Sequence, residues 1–95
     1  MVLIPKVVDL CRGHKSPLTG EPIYVVAAGG IYDGRTMAAA LSLGADAVWV
    51  GTRFLASHEA TATELHKRKL LEAQSDDTVR SEIYTGRPAR VYRTP

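Results

Sequence analysis

Val25-Val26-Ala27-Ala28-Gly29-Gly30-Ile31 and Val48-Trp49-Val50-Gly51-Thr52-Arg53-Phe54 decide how this chain folds. Each is an apolar run cut off by glycine. From Ile23 to Ala28 there is no charge, and Gly29-Gly30 follows at once. An uncharged run rich in β-branched residues and ended by glycine predicts a strand buried on both faces. Glycines at its C-terminal end leave backbone N–H groups uncovered by any Cβ, so a phosphate can approach closely. The second run repeats the pattern, and the Thr52 hydroxyl adds a donor beside the backbone.

Between the two runs lies a helix. Asp33 is its candidate cap, and Arg35 to Leu43 are mostly good helix formers. Met37, Ala38, Leu41 and Ala45 are expected on its inner face. Gly44 stands where a helix end favours glycine. The order strand, Gly-Gly turn, helix, glycine stop, strand, Gly-Thr turn is one βαβ unit with parallel strands. Parallel strands put both glycine turns on the same sheet edge. Such edges bind phosphate-bearing ligands in α/β proteins, and in (β/α)₈ barrels the loops after strands 7 and 8 commonly do so. The Walker and Rossmann patterns are absent, since no lysine follows the glycines and no Gly-x-Gly-x-x-Gly occurs.

Outward from this core, Val2 to Arg12 reads as a helix entered through Pro5, with Leu3, Val7, Val8 and Cys11 on one side. His14 to Pro22 is a loop rich in turn formers. Trp49 is expected in the core rather than stacked on a cofactor ring. Arg53 suits either neutralising a phosphate or a salt bridge at the rim. His58 to Gln74 is expected to be a solvent-facing helix, with Ala62, Leu65, Leu70 and Ala73 inward. Val79 to Tyr84 is expected to be a short strand or irregular. Thr85 to Arg90 reads as a turn-rich basic tail.

The chain has 95 residues, a net charge of +2 and 45% hydrophobic residues, which bounds it at one small domain. Its basic clusters, Lys67-Arg68-Lys69 and Arg87, Arg90, Arg93, lack interleaved aromatics, so no nucleic-acid partner is expected. No run is long enough for a membrane span, and Met1 to Lys6 lacks the form of a signal peptide. The one cysteine, Cys11, suits a reducing, cytoplasmic setting and has no feature of a nucleophile. His14, His58 and His66 have no ligand spacing, so no metal is expected. Two parallel strands do not make a stable sheet. The expected fold is therefore α/β but incomplete as a domain.

Ala27-Ala28-Gly29-Gly30-Ile31, Asp33-Gly34-Arg35 and Leu43-Gly44-Ala45-Asp46-Ala47-Val48-Trp49-Val50-Gly51-Thr52-Arg53-Phe54-Leu55 resemble the C-terminal part of nitronate monooxygenases, formerly called 2-nitropropane dioxygenases. Leu3-Ile4-Pro5-Lys6-Val7-Val8-Asp9, Asp76-Asp77-Thr78-Val79 and the Thr85–Arg90 tail carry the likeness over nearly the whole chain. The Gly-Gly to Gly-Thr core is also similar to FMN-dependent enoyl-acyl-carrier-protein reductases and, more loosely, to IMP dehydrogenases. The resemblance implies the last two or so βα units of an FMN-binding (β/α)₈ TIM barrel, with residues 1–95 a single partial domain. It implies that the parent oxidises alkyl nitronates with O₂ and uses no metal. It gives Gly29, Gly30, Gly51 and Thr52 the role of FMN phosphate ligands, with Ala28 lining the same turn. The family's catalytic histidine lies in a glycine-flanked motif upstream. His14 has no such setting, so no residue here takes a catalytic role, and this chain alone is expected to be inactive. Two other readings stand beside this one: a piece of an enoyl reductase, and a non-catalytic module that binds phosphate ligands or self-associates through open sheet edges.

Overall fold

The structure is a computed structural model, and it describes residues 1–84 and 86–93. It divides into two compact units, residues 1–54 and 55–95. Thr85, within the expected tail, lies outside the described residues.

In the first unit, α1 (Leu3–Cys11) leads through a loop to β1 (Val26–Ala28), then α2 (Gly34–Ser42) and β2 (Ala47–Trp49). A short helix, α3 (Thr52–Leu55), begins directly after Gly51. β1 and β2 pair in parallel with Val26 opposite Ala47, Ala27 opposite Val48, and Ala28 opposite Trp49. The βαβ order is thus as the sequence implies, but β1 covers only the second half of the expected strand. The residues before it are fixed differently: the Val25 N–H donates to Asp46 Oδ2 at 2.7 Å, and the Asp46 N–H returns a bond to the Val25 carbonyl at 2.9 Å.

Ala27, Ala40 and Ala45 form the buried core, with Ile4, Ile31 and Val48 packed against it. One sheet face, bearing Ala27 and Val48, is therefore covered by α1 and α2. Side chains alternate along a strand, so Val26, Ala28, Ala47 and Trp49 share the opposite face, and all four are exposed. The expectation of strands buried on both faces fails here, and Trp49, expected in the core, is 71% exposed. The cause is a missing layer: nothing in this unit packs on the second face.

The inner face of α2 is also rotated from the expected one. Ala40 is buried and Thr36, Ala39 and Leu43 are half-buried, whereas Met37 and Leu41 are exposed. Small residues let this helix approach the Ala27 strand closely, and the longer side chains turn outward. Gly44 closes α2 with φ of +99°, and a Cβ there would stand 3.0 Å from Val8 Cγ1. Glycine is needed at that position for its conformation and for the contact with α1. On α1, Ile4, Val7, Val8 and Cys11 form the inward stripe, while Leu3 is exposed.

In the second unit, α4 spans Glu64–Glu72, shorter than the expected helix from His58. Thr63 stops it from starting earlier, because its hydroxyl accepts from the His66 N–H at 3.3 Å. Leu65 is exposed, and Lys67 turns inward instead, donating to the Ser57 carbonyl at 2.8 Å. A 3₁₀ turn at Ser75–Asp77 leads into β3 (Thr78–Ser81), which pairs antiparallel with β4 (Ala89–Tyr92). The second strand of this hairpin falls where only a tail was expected. Arg80 and Arg90 stand directly opposite each other. Arg90 is also held by a 3.0 Å bond from its guanidinium to the Thr78 hydroxyl.

Candidate functional site

Ala28 opposite Trp49 is the last pair of the parallel sheet. Gly29 follows Ala28 at once, and Gly51 stands two residues after Trp49. Both glycine turns therefore leave the same, C-terminal edge. Gly29 and Gly30 have φ of +91° and +69°, two consecutive residues in a region that L side chains rarely adopt. A Cβ on Gly29, Gly30 or Gly51 would meet nothing within 4 Å. The space before these turns is open to a ligand, and the backbone there carries no shielding side chain. Among the described residues, the turn and loop hydrogen bonds use none of the N–H groups of Gly30, Ile31, Gly51, Thr52 or Arg53.

Ala28, Gly29 and Gly30 line a cavity of about 370 Å³ together with Ile4, Thr36 and Ala40. Gly51 and Thr52 lie on the neighbouring strand end, outside the lining of this cavity. Thr52 is the first residue of α3, and both are exposed.

The far end of the Gly-Gly turn is tied to α2 by a capping box. The Thr36 N–H donates to Asp33 Oδ1 at 2.8 Å. The Thr36 hydroxyl accepts from the N–H groups of Tyr32 and Asp33, each at 3.1 Å. Its own hydrogen is within reach of the Asp33 carbonyl oxygen and Oδ1, at 2.9 and 2.8 Å. The expected cap at Asp33 is therefore present. The Thr36 half of the box is also written in the sequence, as Asp-x-x-Thr before an apolar run. These bonds lower the Asp33 pKa: the Thr36 N–H first, then the Thr36 hydroxyl. The Arg35 N–H and the charge of Arg53 lower it less, against a desolvation effect that raises it. Arg53 of the second turn thus acts electrostatically on the cap of the first. Among the described residues it forms no ion pair.

His14 is elsewhere. With Cys11, Arg12, Lys15, Val25 and Asp46 it lines a second cavity of about 270 Å³, at the end where the parallel strands begin. Among the described residues no group of His, Cys, Asp and Glu is placed to hold a metal ion. No helix there is long and apolar enough to cross a membrane.

Nitronate monooxygenase is the family that matches, over residues 1–95. The chain belongs to this family. Its members are oxidoreductases and are flavin-dependent in general. A Mycobacterium tuberculosis protein named as a monooxygenase is 49% identical over 99% of this chain and 23% of its own length. A Staphylococcus saprophyticus protein named as a nitronate monooxygenase is 42% identical over 95% of this chain and 22% of its own. Among solved structures, FabK from Thermotoga maritima superposes with a TM-score of 0.77 at 47% identity, covering 99% of this chain and 27% of that one. FabK belongs to a TIM-barrel family. The chain spans about a quarter of the length of the relatives it matches.

Proposed function

We propose that this chain is the phosphate-binding edge of an FMN-dependent nitronate monooxygenase. In this reading residues 1–95 are one partial domain, the last two or so βα units of a (β/α)₈ barrel. The observation that carries it is the register of the parallel pair, which delivers Gly29-Gly30 and Gly51-Thr52 to one edge. A phosphate dianion needs several donors and little steric cover, and these four residues fit that need. Gly29, Gly30 and Gly51 would hold it through backbone N–H groups, Thr52 through its backbone and hydroxyl, and Ala28 would line the turn. Bound FMN would supply the redox chemistry by which alkyl nitronates are oxidised with O₂.

The sheet supports the same reading. In a barrel, helices cover one face of each strand and the other face points into the packed interior. Here α1 and α2 cover the Ala27–Val48 face and leave the Val26–Trp49 face open, as two strands removed from a barrel would. No residue of this chain is assigned to proton transfer. His14 stands at the opposite ends of the strands from the glycine turns, so the reacting groups would come from the rest of the barrel. The free Cys11 suits a reducing, cytoplasmic setting.

A second reading, FMN-dependent enoyl-acyl-carrier-protein reductase, draws support from the likeness to FabK. The two differ in the substrate of the whole barrel and share the cofactor edge. The test begins with that edge: a fluorescence titration of the purified chain with FMN and with riboflavin, which lacks the phosphate. Tighter binding of FMN is expected. Equal binding of both, or of neither, overturns the phosphate site. A concentration-dependent increase in mass in sedimentation, without bound flavin, would favour self-association through the open sheet.

A further inference from the structure

We propose that Thr36 is a positioning residue that holds the Gly29–Gly30 turn in shape for a phosphate, an inference that rests on the cofactor edge proposed above. The arc Gly29-Gly30-Ile31-Tyr32 is pinned at its start by the last strand pair, Ala28 opposite Trp49. Its end is pinned by one atom. Thr36 Oγ1 accepts from both Tyr32 and Asp33, so it engages one amide more than an N-cap box requires. The same side chain lines the cavity that Gly29 and Gly30 face.

Both glycines lie at positive φ, and nothing stands within 4 Å of where their Cβ atoms would be. No side-chain packing therefore fixes their conformation. Glycine has the largest conformational freedom of any residue, and an untethered Gly-Gly turn would lose that freedom when a ligand ordered it. With both ends tied, most of the ordering is done before the phosphate arrives. The tie also has a selective effect: it occupies the N–H groups of Tyr32 and Asp33 and leaves those of Gly30 and Ile31 open. The donors for the anion are thereby confined to the part of the arc before Tyr32.

The test compares the riboflavin-to-FMN ratio of dissociation constants in wild type, Thr36→Val and Thr36→Ser. Valine keeps the branched shape and removes the hydroxyl. FMN affinity should fall about tenfold in Thr36→Val. Riboflavin affinity should stay unchanged, because the lost order concerns the phosphate alone. Thr36→Ser should restore the wild-type ratio. A residue with only a structural role would change melting temperature and leave the ratio as it was. A folded Thr36→Val with the wild-type ratio overturns the inference while the cofactor edge stands. A wild type that does not prefer FMN overturns the cofactor edge itself, and this inference with it. Should Thr36→Val not fold, amide exchange in the wild type decides. On adding FMN the Gly30 and Ile31 amides should shift while those of Tyr32 and Asp33 stay protected. Loss of protection at Tyr32 and Asp33 on binding would refute the tie.

Discussion

Gly51→Ala separates ligand approach from backbone conformation. Gly51 lies outside the positive-φ region, and an added Cβ would meet no atom within 4 Å. The native backbone therefore accepts alanine. Because alanine restricts the unfolded chain more than glycine does, stability should rise by about 0.4–1 kcal/mol. For a chain of this size that is a gain of about 2–8 °C in melting temperature. Binding should move the other way. The methyl group would stand in the space through which a phosphate oxygen reaches the second turn. Losing one hydrogen bond to a charged partner costs about 1.5–3 kcal/mol, which corresponds to roughly 10- to 150-fold in FMN affinity.

The contrast with the first turn makes the experiment decisive. Gly30→Ala must place an L residue at φ of +69°. That costs about 1–2 kcal/mol of strain, so stability and binding would fall together and the cause would stay mixed. Gly51→Ala should instead dissociate them: a higher melting temperature by circular dichroism, weaker FMN in the fluorescence titration, unchanged riboflavin. A Gly51→Ala chain that is as stable as wild type and binds FMN equally well would refute the claim that phosphate is held close to Gly51.

Three further outcomes are expected. The Asp33 pKa lies below its ordinary 3.8 in the folded state. Its cap therefore contributes fully above the ordinary value and is lost as pH falls through the lowered one. Helix content by circular dichroism should drop on acidification below about pH 4, less so in Asp33→Asn, whose amide oxygen still caps; identical acid profiles would count against the cap. Asp46→Ala removes the 2.7 Å bond to the Val25 N–H and should lower the urea midpoint by an amount equal to about 1 kcal/mol. An unchanged midpoint would mean the start of β1 is held by other contacts. Trp49, at 71% exposure, should be quenched by acrylamide nearly as free indole is. Marked protection in the chain alone would show that a second copy covers the open sheet face.

The parts of the fold legible in the sequence are those set within a few residues. Asp33 caps α2, Gly44 ends it, and Gly29-Gly30 turns where a strand stops; each depends on dihedral preference or a single neighbour. The β3–β4 hairpin shows the converse. Ala89-Arg90-Val91-Tyr92 alternates only weakly, and its paired residues lie eight to fourteen positions away, so nothing local marks β4 beside a Gly-Arg-Pro turn. The inner face of α2 departs from its sequence pattern for a related reason. Side-chain size favoured Met37 and Leu41, but the distance to the Ala27 strand, which no local pattern contains, selected Ala40.

Trp49 marks where these two kinds of information part. Its strand and the glycine turn after it were readable, because strand and turn are local. Its burial was not, because burial belongs to whatever covers the Val26–Trp49 face. The candidate site falls on the readable side of that division. Its proposed donors are backbone N–H groups of two turns that follow from glycine and from one strand register. The reacting end of a flavin has no such local basis and would depend on side chains from several strands. A chain holding one βαβ unit can therefore carry the anchor of a cofactor without carrying its chemistry.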